Sequence, residues 1–410
     1  MDNIVRQADP DVSNSIWRNT NFLLLYFTGT IINLGSRIYE LALPLIIYEI
    51  TKSSVVMGTM RAVEFLPNLL LAMFIGVWVD RTNRKRFMQI SILVQVIVLF
   101  SLFTFIQNGL QNEFIFYVSG FILMTSIYGY NNSRSSIIKT TIPKEHLLTA
   151  NAKFTFTVTL IGLMGPALSG FILMFTELQY GLLVTGIAFL IGLIISCFIQ
   201  SDDHITSPKK SSTVWNDLRE GWVMLRKNEI LWKITLLVIF TNAAESMFSA
   251  MLVFYAKNTL HLTQIQVGIV LSCAGIGGLI GSYIIEYLSK KFTVGKILGV
   301  SILLVGIAYF IMFFATNIYV MGLSILLEAA FGTIYVVTIM TVRQETTESH
   351  LIGRITGITG SLFKLAMPIA IFSSGWISMY IGTSYVFCLS AFIQLIIFLV
   401  YTYLKLWKVS

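Results

Sequence analysis

Seven ionisable residues interrupt stretches that are otherwise apolar: Arg37, Glu40, Arg61, Glu64, Glu245, Glu328 and Lys364. Charge inside an apolar helix is expensive, so each such group is a candidate for pairing or for handling an ion. Arg37 and Glu40 stand three residues apart, as do Arg61 and Glu64. That spacing puts each pair on one helical face, where mutual neutralisation is the structural reading. Glu245 and Glu328 have no basic residue within a turn. A carboxylate in that setting is costly as an anion, and taking up a proton removes the cost. A cross-helix partner, Arg37 or Lys364, is the alternative for each. Glu245, Glu328, Glu40 and Glu64 are therefore the candidate proton carriers. Asn33, Arg37, Tyr39, Asn242, Phe248, Tyr335 and Phe363 fall within the same apolar runs. They are candidates to line a solute cavity, with helix packing as the alternative for the aromatics.

The elements that must position these residues follow from composition. Of 410 residues, 56% are hydrophobic and 12% are charged. Soluble proteins carry about 25% charged residues, and a soluble surface cannot be made from so few. The composition excludes a soluble enzyme, a nucleic-acid binder and a disordered chain. It implies an integral membrane protein embedded in a lipid bilayer. About 20 apolar residues at about 1.5 Å each cross a hydrocarbon core of about 30 Å. Twelve runs meet that length, at 21–48, 54–78, 87–106, 114–136, 154–175, 180–199, 231–256, 265–287, 295–315, 318–341, 357–380 and 384–404. An all-α membrane protein of twelve transmembrane helices is the expected fold class. The cysteines Cys197, Cys273 and Cys388 all lie in or beside apolar runs, which leaves no disulfide framework.

Basic residues set the expected orientation. With the amino terminus inside, 23 of the 28 lysines and arginines fall in inner loops and tails. Two, Lys52 and Lys257, fall outside, and Arg37, Arg61 and Lys364 fall within spans. That asymmetry places both termini in the cytoplasm. The longest connection, near 201–230, is polar and divides the spans six and six. It contains Trp215, Leu218, Trp222 and Leu225 at helical spacing, flanked by Arg219, Arg226 and Lys227. This reads as an amphipathic linker helix, packed on the cytoplasmic face of the bundle or lying on anionic lipid. The domains are thus 1–200, a linker at 201–230, and 231–410.

The halves repeat. Lys139 lies seven residues before His146, and Arg343 lies seven before His350. Asp80 with Arg84-Lys85 returns as Glu286 with Lys290-Lys291, Pro166 as Pro368, and Glu40 as Glu245. The four offsets lie between 202 and 206, half the chain. A duplicated six-helix unit is the reading, giving two pseudo-symmetric bundles about a central pathway.

Two motifs carry more specific information. Gly76-Val77-Trp78-Val79-Asp80-Arg81-Thr82-Asn83-Arg84-Lys85-Arg86 places a glycine, then an aspartate, then a basic cluster at the end of the second span. Gly162-Leu163-Met164-Gly165-Pro166-Ala167-Leu168-Ser169-Gly170 sits in the fifth span, where the proline permits a bend and the glycines permit close packing. The motif at Gly76 resembles the loop signature of the major facilitator superfamily, and the motif at Gly162 resembles the antiporter signature of its exporters. Gly35 to Pro44, Glu64 to Pro67, Asn151-Ala152 and Leu351 to Arg354 add a similarity to its macrolide-efflux and enterobactin-exporter branch. The resemblance implies the major facilitator fold, with Gly76, Asp80, Arg81, Arg84 and Lys85 as a cytoplasmic gate. It implies Gly162, Gly165, Pro166 and Gly170 as an antiporter motif in a moving helix. Asn83 stands where the superfamily usually has glycine, and asparagine tolerates a left-handed turn. Arg134 lies near the cytoplasmic end of the fourth span, whereas many proton-driven drug exporters carry an arginine deep within it.

These features imply a secondary exporter of amphipathic small molecules in a bacterial cytoplasmic membrane. The expected protein is not an enzyme, and it needs no cofactor or metal, only a proton gradient. No phosphate-binding loop, zinc-ligand spacing or nucleophile elbow is present in the sequence. A siderophore or metabolite exporter is the nearest alternative. A nutrient importer and a non-transport membrane protein lie further off. A monomer is expected, with substrate, protons and lipid as partners and no nucleic acid.

Overall fold

The computed structural model describes residues 16–71, 74–75, 78–79, 82–109, 112–174, 177–200, 214–347 and 352–408. Within them the first half contains α1 (Thr20–Thr51), α2 (Ser54–Leu70), α3 (Arg84–Gln107), α4 (Glu113–Thr141), α5 (Leu147–Met174) and α6 (Tyr180–Cys197). The linker helix α7 is Val214–Lys227. The second half contains α8 (Glu229–Asn258), α9 (Gln264–Ser289), α10 (Val294–Phe313), α11 (Ile318–Glu345), α12 (Ile352–Leu362), α13 (Met367–Ile381) and α14 (Thr383–Tyr403).

Short polar residues start seven of these helices. The side chains of Asn19, Ser53, Asn112, Asn228, Thr263 and Asn317 each accept from a backbone N–H in the first turn. An unmatched N–H at a helix start is thereby satisfied, a gain of about 1 kcal/mol. Asn83 does the same for α3: its side chain accepts from Arg86 N at 2.8 Å, with φ −64° and ψ 110°. The expected left-handed turn is therefore replaced by an extended N-cap.

Among the described residues, ten helical segments are long and apolar enough to cross a membrane, one of them, 357–381, running across the boundary between α12 and α13. The expected second and fourth spans are not in that set. The described part of α2 has 17 residues. The helix α4 is long, but Asn131-Asn132-Ser133-Arg134-Ser135-Ser136 makes its second half polar. The expected fifth span starts seven residues early, at Leu147. The expected eleventh span is interrupted: α12 ends at Leu362 and α13 begins at Met367. Between them, Lys364 N donates to Ser361 O, Leu365 N to Leu362 O and Met367 N to Lys364 O, tight turns in place of α-helical bonds. Pro368, in the first turn of α13, disfavours helix in the residue before it. Pro166, its counterpart, lies within the continuous helix α5.

The same packing pattern holds in both halves. In the first, α1 packs on α5 and α6, α3 on α4 and α6, and α2 on α4. In the second, α8 packs on α13 and α14, α10 on α11 and α14, and α9 on α11. The halves meet chiefly through two crossings, α2 with α13 and α5 with α9, with smaller contacts of α8 on α1 and α2. The linker helix packs on α12 and α8, with Leu225 buried beside Leu231, Ile355 and Ile358.

Candidate functional site

Five helices of the second half line a cavity of about 390 Å³ that is open on one side. Thr241, Asn242 and Glu245 come from α8, and Gly278 from α9. Tyr309 comes from α10, Glu328, Thr333 and Tyr335 from α11, and Gln394 from α14. Asn242 and Glu245 are three residues apart, so one face of α8 presents both. Glu328 and Tyr335 lie seven apart, two turns along one face of α11.

Both carboxylates are half-buried. Among the described residues, neither Glu245 nor Glu328 has an ion pair or a hydrogen bond, and no lysine or arginine lines the cavity. The two alternative partners are engaged elsewhere. Arg37 Nη1 bonds Glu40 Oε2 at 2.6 Å, and Lys364 Nζ donates to Asn68 Oδ1 at 2.8 Å. Glu245 and Glu328 lie within electrostatic reach of each other. Two like charges in a low-dielectric cavity repel, so the pair calls for a proton or another cation.

The rest of the wall is largely apolar, with a few hydroxyls and one amide set into it. Thr241 Oγ1, Tyr309 OH, Tyr335 OH and both amide atoms of Gln394 are buried without a hydrogen bond of good geometry. Tyr309 nevertheless lies beside Gln394, and Tyr335 beside Thr241. Buried polar atoms are normally satisfied, and each exception costs about 1–3 kcal/mol. The carboxylate pair thus shares its cavity with two neighbouring polar pairs, Tyr309 with Gln394 and Tyr335 with Thr241. Tyr309, Gln394 and Thr241 are not among the candidates that the sequence offers. Their signal there is a lone amide or hydroxyl in the middle of an apolar run.

Other candidates fall elsewhere. Glu64 is 6% exposed and fully partnered: Tyr39 OH donates to Oε1 at 2.7 Å and Arg61 Nη1 to Oε2 at 3.0 Å. A buried carboxylate with both oxygens bonded is a structural ion pair, so the structure places Glu64 in a bonded network and not at an open site. Tyr39 is 3% exposed and belongs to that network, away from the second-half cavity. Phe248 is 1% exposed, stacked on Tyr309 at 4.4 Å and set edge-on to Phe387, so it is core. Phe363 packs against the cluster containing Tyr335 and Tyr401. Asn33 donates to Gly29 O of its own helix. Arg37 and Glu40 form a half-exposed pair on α1. Arg134 lies over the Phe154 ring at 4.6 Å and fills the space beside Gly29, joining α4 to α5 and α1.

The interrupted helix is tied to the cavity and to the other half. Asn242 Nδ2 donates to Phe363 O at 3.0 Å, one helical turn from Glu245. The next residue, Lys364, makes the bond to Asn68 of α2. A chain of neighbours thus runs from Glu245 through the break to the opposite half.

Of the gate motif, Gly76, Asp80 and Arg81 lie outside the described residues. Arg84 opens α3, and Lys85 Nζ donates to Cys197 O at the end of α6. A cation at a helix carboxyl end is favourable. The glycines of the other motif have distinct surroundings. At Gly162 a Cβ would meet nothing within 4 Å. At Gly165 it would meet the Arg37 side chain, at 2.7 Å from Cγ. At Gly170 it would lie 2.6 Å from Gln264 O, and the facing Gly268 abuts the carbonyl of Pro166. Ala167 N donates to Ser272 Oγ at 3.0 Å. This motif is the surface by which α5 of one half contacts α9 of the other, backbone to backbone. Pro166→Ala leaves those contacts in place and alters only the helix around them. It is expected to change turnover more than stability, because transmembrane helices tolerate proline without needing it. Transport at the wild-type rate by well-folded Pro166→Ala protein would reduce the proline to a packing residue.

The Major Facilitator Superfamily model matches residues 25–293 and 234–408. The chain belongs to that superfamily, and its fold is that of a multi-pass membrane transporter. It is 23% identical over 389 residues to macrolide efflux protein A of Streptococcus pyogenes, covering 90% of this chain and 93% of that one. It is 23% identical over 309 residues to the uncharacterized MFS-type transporter YvqJ of Bacillus subtilis, covering 73% and 72%. Among solved structures it is similar to a bacterial homologue of the iron transporter ferroportin, with TM-score 0.77, 16% identity and coverage of 96% and 100%. The nucleoside transporter NupG gives TM-score 0.72 at 13% identity, covering 95% and 100%.

Proposed function

We propose that the protein exports amphipathic small molecules across a bacterial cytoplasmic membrane by proton antiport with alternating access. The observation that carries the coupling is the pair Glu245 and Glu328, without ion-pair partners among the described residues in one cavity and linked through Asn242 to the break at Phe363. In this reading twelve helices cross the bilayer in two six-helix domains, 1–200 and 231–410, joined by the linker 201–230, with both termini cytoplasmic. The chain works as a monomer on its substrate and protons, with no cofactor.

Exchange requires that proton and substrate favour different states of the protein. Protonation of the carboxylate pair removes its repulsion and changes what Asn242 and the α12–α13 break hold. That break touches Asn68 of the other half, so the signal reaches the contact between halves. The similarity to a macrolide efflux protein supports export and an amphipathic cargo. In the test, everted membrane vesicles are energised with a pH gradient and offered a panel of amphipathic compounds, macrolides included. Uptake of at least one compound, collapsed by a protonophore, is the expected result. Uptake of none, or uptake indifferent to the protonophore, overturns the proposal.

A further inference from the structure

A second groove, of about 520 Å³, lies on the outer face of the second half and takes no part in the site above. Its wall is built by Leu288 at the end of α9, Phe292 in the loop that follows, Val300 and Leu304 of α10, Phe331 of α11, and Trp407. Ser301 also lines it, but its hydroxyl donates to Leu298 O of its own helix. The surface presented is therefore apolar, with one exception at its mouth, Lys296.

The groove has a direction. Lys296 sits in the first turn of α10 and Leu304 eight residues further on. At about 1.5 Å per residue that is a depth of about 12 Å, close to the one-leaflet hydrocarbon depth of about 15 Å, half of about 30 Å. The mouth lies at the end of the bundle that carries the chain termini. Trp407 closes one side there. Tyr401 OH donates to Gly295 O at 2.7 Å and holds the C-terminal turn beneath α10. Gly299 leaves room for the indole, since a Cβ there would lie 2.9 Å from Trp407 Cη2.

Charge at the mouth is mainly positive. Lys290, Lys291, Lys296, Lys405 and Lys408 lie on the segments that frame it, with Glu286 as the one acidic residue there. Lys290 is paired with Glu286, and Lys291 lies over the Tyr287 ring. Among the described residues Lys296 has no carboxylate partner and is exposed. Its ammonium is offered to solvent at the top of an apolar slot one leaflet deep.

We propose that this groove binds an anionic phospholipid of the leaflet on the side of the termini, one acyl chain in the slot and the headgroup phosphate on Lys296. Basic residues near a membrane surface attract anionic lipid, so charge selects the headgroup and the slot orders the chain. The proposal does not depend on what the protein transports.

The test uses the full chain purified in mild detergent and native mass spectrometry with phosphatidylglycerol or phosphatidylcholine added in equal amounts. Retention of one phosphatidylglycerol in clear preference to phosphatidylcholine is expected. Lys296→Glu should erase the preference, and Val300→Trp, which fills the slot, should remove retention of either lipid. Thermal unfolding of each variant checks its fold. Should either variant fail to fold, the wild-type protein decides alone: its preference must shrink as salt rises. Equal retention of both lipids, or a preference untouched by Lys296→Glu or by salt, would each overturn the proposal.

Discussion

Glu245→Gln is expected to reduce pH-driven uphill efflux to the background of vesicles lacking the protein, while downhill exchange of substrate continues near the wild-type rate. Glutamine keeps the size and hydrogen-bonding reach of the side chain and removes its proton chemistry. It fixes the cavity in a state like the protonated one, so the solute can still cross but the proton gradient can no longer drive it. Three observations single out Glu245. It has no ion-pair partner among the described residues, it shares a cavity with a second carboxylate, and it stands one turn from the Asn242–Phe363 link. Glu40, its counterpart in the first half, differs on the first count. It is paired with Arg37 at 2.6 Å, so Glu40→Gln should weaken substrate binding and leave coupling intact. Glu64 is held by Tyr39 and Arg61 and should act on stability. Comparing the final accumulation ratio with the initial rate of counterflow separates coupling from passage. Uphill accumulation by Glu245→Gln would move the proton-carrying role to Glu328.

The reach of sequence reasoning here has a physical boundary. Apolar runs and helix-capping residues act locally, so the helices are legible one at a time. The repeat is legible too, because duplicated residues keep their spacing: the offsets of Glu40 with Glu245 and Pro166 with Pro368 match equivalent helices, α1 with α8 and α5 with α12–α13. What the sequence does not show is which residues of different helices meet. Glu245 and Glu328 read as separate candidates, and their common cavity is a property of how α8 packs near α11. Tyr309 and Gln394 read as a membrane aromatic and a stray amide until the fold sets them beside the carboxylates. The break at Phe363–Ala366 escapes the sequence for a related reason. The run 357–380 is apolar enough on average to span, despite Lys364 within it, and hydropathy does not register a helix that stops and restarts. Pro368 carries the available signal, but Pro166 in the other half is a proline that does not interrupt its helix.

Gly268→Ala is the smallest substitution expected to disable the transporter. A single added methyl would collide with the carbonyl oxygen of Pro166, which is backbone and cannot swing aside as a side chain can. Relief requires α9 to move away from α5, and those helices are one of the two main contacts between halves. Overpacking of this kind costs about 1–3 kcal/mol, equivalent to about a 5-fold to 150-fold change in the balance between conformations. The cost falls on the arrangement seen here, in which Gly170 and Gly268 touch. Any arrangement that separates them is relieved of it. The expected outcome is a population shifted toward separation at that end, with transport reduced by at least the lower factor. Spin labels at Glu49 and Lys257, introduced after replacement of Cys197, Cys273 and Cys388, report the distance between the halves there. The distance should lengthen. Gly162→Ala supplies the contrast within the motif that faces Gly268. Nothing lies within 4 Å of a Cβ at Gly162, so the added methyl meets no obstacle. Alanine also favours helix over glycine by about 1 kcal/mol, so Gly162→Ala should leave transport unimpaired. If Gly268→Ala keeps both the wild-type distance and the wild-type rate, the α5–α9 contact is static packing and the switch lies elsewhere.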